Sequence, residues 1–279
     1  MMKGMLLEIA CTPKPGLVDR NNSGANSDMD FSLFCLSSST ISQDFPLFIS
    51  VGLNPEIPDN KVLQFLRCHG IETEKRMFES TGGINTQKGL IFIFAILGAA
   101  AGRLVRNQIP LTSENLSEYT SKLTEGLCQR ELYGLNPESS QRRLTKGESL
   151  FLKYGVRGIR GEVEYGLPTI TGYGLPQLKK SLLRGLSLND ALVETLLRIL
   201  SVAEDTNVIA RSDYDTLKDV VQPSATEALQ KGGMSTDAGR KLILAMDDKF
   251  ITRNINPGGS ADLLAASAAI YFLEKIKVR

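Results

Sequence analysis

Five glycine-bearing segments of this chain set cations or carboxylates beside a bend in the backbone. The first runs Cys11-Thr12-Pro13-Lys14-Pro15-Gly16-Leu17-Val18-Asp19-Arg20 and continues to Asp28 and Asp30. Its prolines and glycines fix an irregular path that can aim backbone N–H groups at an anion. Lys14 and Arg20 add positive charge, and Asp28 and Asp30 offer hard oxygens suited to Mg²⁺. The same residues also suit a rigid loop in which Asp28 caps the next helix. The second segment is Thr81-Gly82-Gly83-Ile84-Asn85-Thr86-Gln87-Lys88-Gly89, which opens into an apolar stretch. A glycine-rich turn with a lysine at a helix start suits phosphate, through amides, dipole and ammonium together. It is not a Walker A loop, because Gln87 and Gly89 stand where that motif has Gly and Ser or Thr. An ordinary tight turn with an exposed lysine is the alternative.

In the third segment, Arg157, Arg160, Glu162 and Glu164 interleave with Gly158, Gly161 and Gly166. Arginine forks beside a carboxylate make a phosphate clamp next to a general base or metal ligand, or else a solvated loop with local ion pairs. The fourth, Glu204-Asp205-Thr206-Asn207 with Arg211, has the makings of a metal-and-phosphate corner, or of a helix end with turn residues. The fifth runs from Arg253 through Asn256-Pro257-Gly258-Gly259-Ser260-Ala261-Asp262. Asp262 also suits a plain first-turn acid. His69 is the single histidine. Adjacent helical side chains diverge, so it forms no dyad with Cys68, and a Ser–His–Asp triad or multi-histidine metal site has nothing to build on. Together the five segments supply what a helical protein needs to surround a polyphosphate and Mg²⁺.

The elements that must carry these loops read as helices. Thr145-Lys146-Gly147-Glu148 is a capping box, and Ser187-Leu188-Asn189-Asp190 repeats the pattern before Ala191–Ala203. Ser260 is placed to cap Ala261–Lys275, and Ser235 to cap a helix ending near Ile251. Further helices are expected at Met29–Gln43, Asn60–Phe78, Lys88–Val105, Ser113–Leu132 and Leu217–Leu229. Alternating β-branched stretches are scarce. The expectation is an all-α bundle over residues 1–279, one domain, with glycine-rich loops at helix ends forming the site.

The 279 residues suffice for a sizeable core, and 42% apolar with 23% charged content is ordinary for a globular chain. A net charge of +1, from 32 basic and 31 acidic residues, argues against nucleic-acid or membrane-surface binding. Cys11, Cys35, Cys68 and Cys128 match no zinc or C-x-x-C spacing, which points to reduced thiols and a cytoplasmic protein. The apolar stretch Met5–Cys11 is short and holds Glu8, unlike a signal peptide. The run Leu90–Ala101 is too short to span a bilayer and reads as a buried core helix.

In their order and spacing the five segments resemble the triphosphoribosyl-dephospho-coenzyme-A synthases, from about Glu8 to Phe272. The most specific parts are Pro13 to Arg20 and Pro257 to Leu264. The family usually has His where this chain has Asn26 and Gln87, and Gly-Gly where Ser212-Asp213 follow Arg211. The resemblance implies a reaction between ATP and 3′-dephospho-coenzyme A that releases adenine. The product is the prosthetic-group precursor for the acyl carrier protein of citrate lyase or malonate decarboxylase. It further implies Lys14, Arg20, Lys88, Arg160, Arg211 and Arg253 on phosphates, helped by Gly82, Gly83, Asn85, Gly258, Gly259 and Ser260. Asp28, Asp205 and Asp262 fall to Mg²⁺, and Glu162 or Asp205 to catalysis. Two rivals share the same loops: a Mg²⁺-dependent nucleotide N-ribosyl hydrolase, and a nucleotide-binding partner of an acyl carrier protein that has lost catalysis.

Overall fold

The computed structural model of the protein describes residues 1–135 and 143–278. Every regular element among them is helical. In chain order these are α1 Met2–Ala10, α2 Phe31–Ser42, α3 Phe45–Leu53, α4 Asp59–Ser80, α5 Lys88–Arg106, α6 Ser113–Thr124 and α7 Lys146–Tyr154. There follow α8 Gly158–Glu164, α9 Leu175–Leu183, α10 Leu188–Leu200, α11 Thr206–Arg211, α12 Gln222–Gln230, α13 Asp237–Thr252 and α14 Gly258–Leu273. Wider π turns at Gln129–Tyr133, Ile170–Gly174 and Thr216–Val221 sit between them.

Helices α5 and α14 carry long buried stretches of the core. On α5, Leu90 to Leu104 is buried apart from Phe92, so the helix has almost no solvent face. By length and composition it could cross a membrane, but it is the buried core helix expected, packed between α3, α4, α6 and α14. On α14, Leu263 to Ile270 is buried between α1 and α10. Arg103, fully buried on α5, donates to the carbonyls of Gly52 (2.6 Å), Asn54 (2.7 Å) and Ile57, and to Asp59 Oδ1 (2.9 Å). One guanidinium thus ties three carbonyls at the end of α3 and along its link to α4, with Arg106 Nη1 a second donor to Asn54 O at 3.1 Å.

Local signals set several boundaries. The Thr145–Glu148 capping box forms in both directions, and Ser187 caps α10 by accepting from Asp190 N at 3.1 Å. Elsewhere the cap shifts. Asp30 rather than Asp28 caps α2, accepting from Leu33 N at 2.8 Å. Thr236 rather than Ser235 caps α13, because a 3₁₀ turn takes up Gly233–Ser235. Helix α6 stops at Thr124 rather than running to Leu132, since Gly126 turns left-handed at φ +71°. Helix α14 starts before Ser260, at Gly258.

Candidate active site

A cavity of about 900 Å³ lies where the first turns of α5, α7 and α14 meet those of the shorter α8 and α11. Its wall carries Lys14, Lys88, Lys146, Arg157, Arg160 and Arg211. Interspersed are the carboxylates of Glu8, Asp28, Glu162, Glu204, Asp205 and Asp262. Helix starts concentrate positive dipole ends, which suits this face of the bundle to a polyanion.

The loop from Cys11 to Asp30 is held from within and from outside. Asp19 accepts from Thr12 Oγ1 (2.6 Å), Lys14 N (3.0 Å), Asn21 N (2.7 Å) and Asn22 N (3.1 Å). Asp247 on α13 accepts from Gly16 N (2.8 Å) and Asn22 Nδ2 (2.9 Å). So fixed, the loop sends the Lys14 side chain inward to a buried ion pair with Glu8 of α1. Arg211 on α11 reaches the same loop, donating to Ala25 O (2.8 Å) and Asn26 Oδ1 (3.0 Å). Asn26 Oδ1 also accepts from Asn256 Nδ2 at 2.7 Å. Asn26 therefore ties three of the segments together.

The buried Asp205 is fully engaged. Its Oδ1 accepts from Asn207 N (2.9 Å) and Val208 N (3.2 Å), and its Oδ2 from Ser260 N (2.7 Å) and Ser260 Oγ (2.8 Å). Where the sequence put Asp205 on a metal, the structure has four protein donors on it. Where the sequence put Ser260 on phosphate, its hydroxyl is spent on Asp205. Burial raises the Asp205 pKa above the ordinary value, against the pull of these donors. Asp262, one turn into α14, reaches the first turn of α5, where its carboxylate lies against Gly89. A Cβ on Gly89 would stand 2.1 Å from Asp262 Oδ2, and one on Gly258 would stand 2.4 Å from Asn207 Nδ2. A side chain at either position would force the Asp262 carboxylate or the Asn207 carboxamide aside. Burial, then Glu8 and Asp205 nearby, pushes the Asp262 pKa well above its ordinary range.

Glu162 on α8 accepts from Thr169 Oγ1 and, at 3.3 Å, from Thr169 N. Burial raises its pKa, the Thr169 bonds oppose that, and Glu204 adds a smaller upward push. Arg160 pairs with Glu131 at 2.8 Å, and Lys88 pairs with Glu74, so both reach the cavity edge from ion pairs. Asn85, also on the wall, accepts from Lys88 N at 3.2 Å.

Arg20, Gly82, Gly83 and Arg253 are not on the cavity wall. Gly82 and Gly83 lie at φ +66° and +89° and end α4, with Gly83 N donating to Phe78 O at 2.7 Å. That is a helix-terminating turn, which needs glycine for its own reasons. Arg253 sits at the equivalent end of α13, where Asn254 is left-handed and Ile255 N donates to Phe250 O at 2.8 Å. Glu8 and Lys146 were not read as site residues in the sequence, and Arg157 only as part of the arginine–carboxylate segment. A carboxylate on the core-facing side of an apolar helix was the available signal for Glu8.

The family described as ATP:dephospho-CoA triphosphoribosyl transferase matches residues 1–279. The chain belongs to that family. It is 38% identical over 266 residues to the 2-(5''-triphosphoribosyl)-3'-dephosphocoenzyme-A synthase of Klebsiella pneumoniae, covering 95% of this chain and 86% of that protein. It is 36% identical over 281 residues to the probable synthase of the same name from Malonomonas rubra, covering 100% of this chain and 88% of the relative. No solved structure matches. As a member of the triphosphoribosyl transferase family, the chain is an enzyme of group transfer, with an all-α fold.

Proposed function

We propose that this transferase joins ATP to 3′-dephospho-coenzyme A, releasing adenine and forming 2′-(5″-triphosphoribosyl)-3′-dephospho-coenzyme A. The product is the precursor of an acyl carrier protein's prosthetic group. One observation carries this: a single cavity, in a chain of this family, is ringed by helix first turns and by six cationic side chains. A triphosphate suits those cations, and the cavity volume falls at the upper end of the range for ligand sites.

The chemistry is displacement at C1′ of the ATP ribose. The C1′–N9 bond breaks, its electron pair leaves with adenine, which takes up a proton from solvent, and a ribose hydroxyl of dephospho-coenzyme A bonds to C1′. By analogy with glycoside chemistry, the transition state carries oxocarbenium character, and the hydroxyl proton needs a carboxylate. Glu162 is proposed as that base. Its raised pKa brings it closer to the operating pH, which favours proton acceptance. Lys14, Lys88, Arg160 and Arg211 are proposed to hold the triphosphate intact and oriented rather than to cleave it. Asp205 is proposed to act by fixing the start of α14 against α11.

Mg²⁺ is part of the proposal. Among the described residues, no three His, Cys, Asp or Glu side chains are grouped to hold a metal ion. A Mg²⁺ that arrives with a triphosphate keeps phosphate and water ligands and needs only one or two carboxylates. Asp28 and Asp262, both on the wall, fit that demand. The ion would neutralise phosphate charge.

Incubating the protein with ATP and Mg²⁺, with and without dephospho-coenzyme A, tests the proposal. Adenine released only with the acceptor supports transfer. Release without it supports an N-ribosyl hydrolase, and none at all supports a nucleotide-binding protein.

A further inference from the structure

Gln87 is the residue just before α5, and it is 3% exposed on the cavity wall. Its Oε1 accepts from Ser37 Oγ and Ser38 Oγ, each at 3.1 Å. Both serines are fully buried on α2. Ser37 Oγ is further tied to Thr86 Oγ1 at 2.6 Å. The oxygen end of the carboxamide is therefore fixed. The nitrogen end, with two N–H donors, has no protein acceptor. Only one other buried side-chain polar atom among the described residues, Thr120 Oγ1, shares that condition. Buried donors are almost always paired, so one held rigidly on a cavity wall marks where an acceptor on a ligand belongs.

The surroundings say which kind of acceptor. Phe34 precedes Ser37 and Ser38 by one turn of α2, so it shares their face and lines the same cavity. Leu17, Val18 and Met29 add apolar wall. At the nearest helix start, Lys88 N already donates to Asn85 Oδ1, and the Asp262 carboxylate lies against Gly89. An apolar, aromatic wall beside a neutral donor suits a flat heteroaromatic base better than a phosphate.

Resting on the transfer reaction proposed above, we infer that Gln87 Nε2 donates a hydrogen bond to a ring nitrogen of the departing purine. The carboxamide cannot exchange a proton near neutral pH. It keeps its protons while the C1′–N9 electron pair moves into the ring, and it stabilises that developing charge as a fixed dipole. It is thus a nucleobase-binding residue that also eases departure of the base.

The test pairs Gln87→Met with ATP analogues that replace one ring nitrogen by CH: 1-deaza-, 3-deaza- and 7-deaza-ATP. Binding is read by calorimetry without dephospho-coenzyme A, and adenine release is measured separately with it. In the wild type, one analogue should bind roughly three- to tenfold more weakly than ATP, the worth of one neutral hydrogen bond. In Gln87→Met, ATP should weaken by a similar factor and the deaza penalty should vanish. A side chain that serves only to pack Ser37 and Ser38 would leave that penalty in place. Wild type that transfers normally but binds all three analogues like ATP overturns this inference and leaves the reaction standing. Wild type that binds no ATP overturns both.

Discussion

Asp205 Oδ2 takes both the backbone amide and the hydroxyl of Ser260, at 2.7 and 2.8 Å, joining α11 to α14 across fifty-five residues. With the Oδ1 bonds to Asn207 and Val208, one buried carboxylate closes two helix starts at once. Asp205→Asn would turn one acceptor into a donor facing donors. The expected cost is about 1–3 kcal/mol of stability, read from urea denaturation. Nucleotide binding should weaken alongside it. A variant as stable as wild type would remove Asp205 from this structural role.

Glu162→Gln should keep ATP binding while lowering turnover roughly 10²–10⁴-fold, the usual worth of a positioned base. Because burial raises its pKa, the acid limb of the rate profile should lie above the ordinary glutamate value of 4.5. The base works deprotonated, so the rate falls as pH drops through that pKa. Thr169→Val removes a donor that favours the ionised form and should move the limb to higher pH. A limb unmoved by Thr169→Val would argue that Glu162 is not the base.

Asp262 points to a stability effect of opposite sense from the usual aspartate. Its folded pKa is raised, so the folded state binds its proton more tightly than the unfolded chain does. Stability should therefore decline as pH climbs from 3.8 toward the folded pKa. Asp262→Asn keeps the shape of the side chain and drops the charge beside Glu8. In metal-free buffer at pH 7–8 it should melt at higher temperature than wild type, with a flatter pH dependence. Equal slopes in the two proteins would exclude a strained Asp262.

Arg103→Met should cost about 3 kcal/mol or more, since three carbonyls and Asp59 lose their shared buried donor. Denaturant titration measures this. Adenine release per folded molecule should hardly change, because Arg103 does not line the cavity.

Much of the scaffold was legible because its signals are local. The Thr145–Glu148 box, the Ser187 cap and the apolar run of α5 depend on spacing within one or two turns. The site was legible only in outline, because its decisive contacts join distant positions. Nothing near Ser260 announces Asp205 as its partner, and nothing near Gly89 announces the Asp262 carboxylate above it. Glycine composition alone misleads: Gly82 and Gly83 end a helix, whereas Gly89 and Gly258 admit a neighbour's side chain. Likewise Lys14 and Arg20 stand six residues apart in one loop, yet one is buried beside Glu8 and the other exposed. Which way a loop cation turns is decided by what packs beneath it, here Asp19 and Asp247.

The cavity wall runs in sequence from Glu8 on α1 to Leu263 on α14, so nearly the whole chain must be in place before it exists. A ligand seated there has no counterpart site on the unfolded chain. Its binding energy is then returned to the entire fold, as RT ln(1 + [L]/Kd), or about 2.7 kcal/mol at a hundredfold excess over Kd. Protection from proteolysis and hydrogen exchange should accordingly rise in helices that never touch the ligand, such as α3, which packs against α5 far from its first turn.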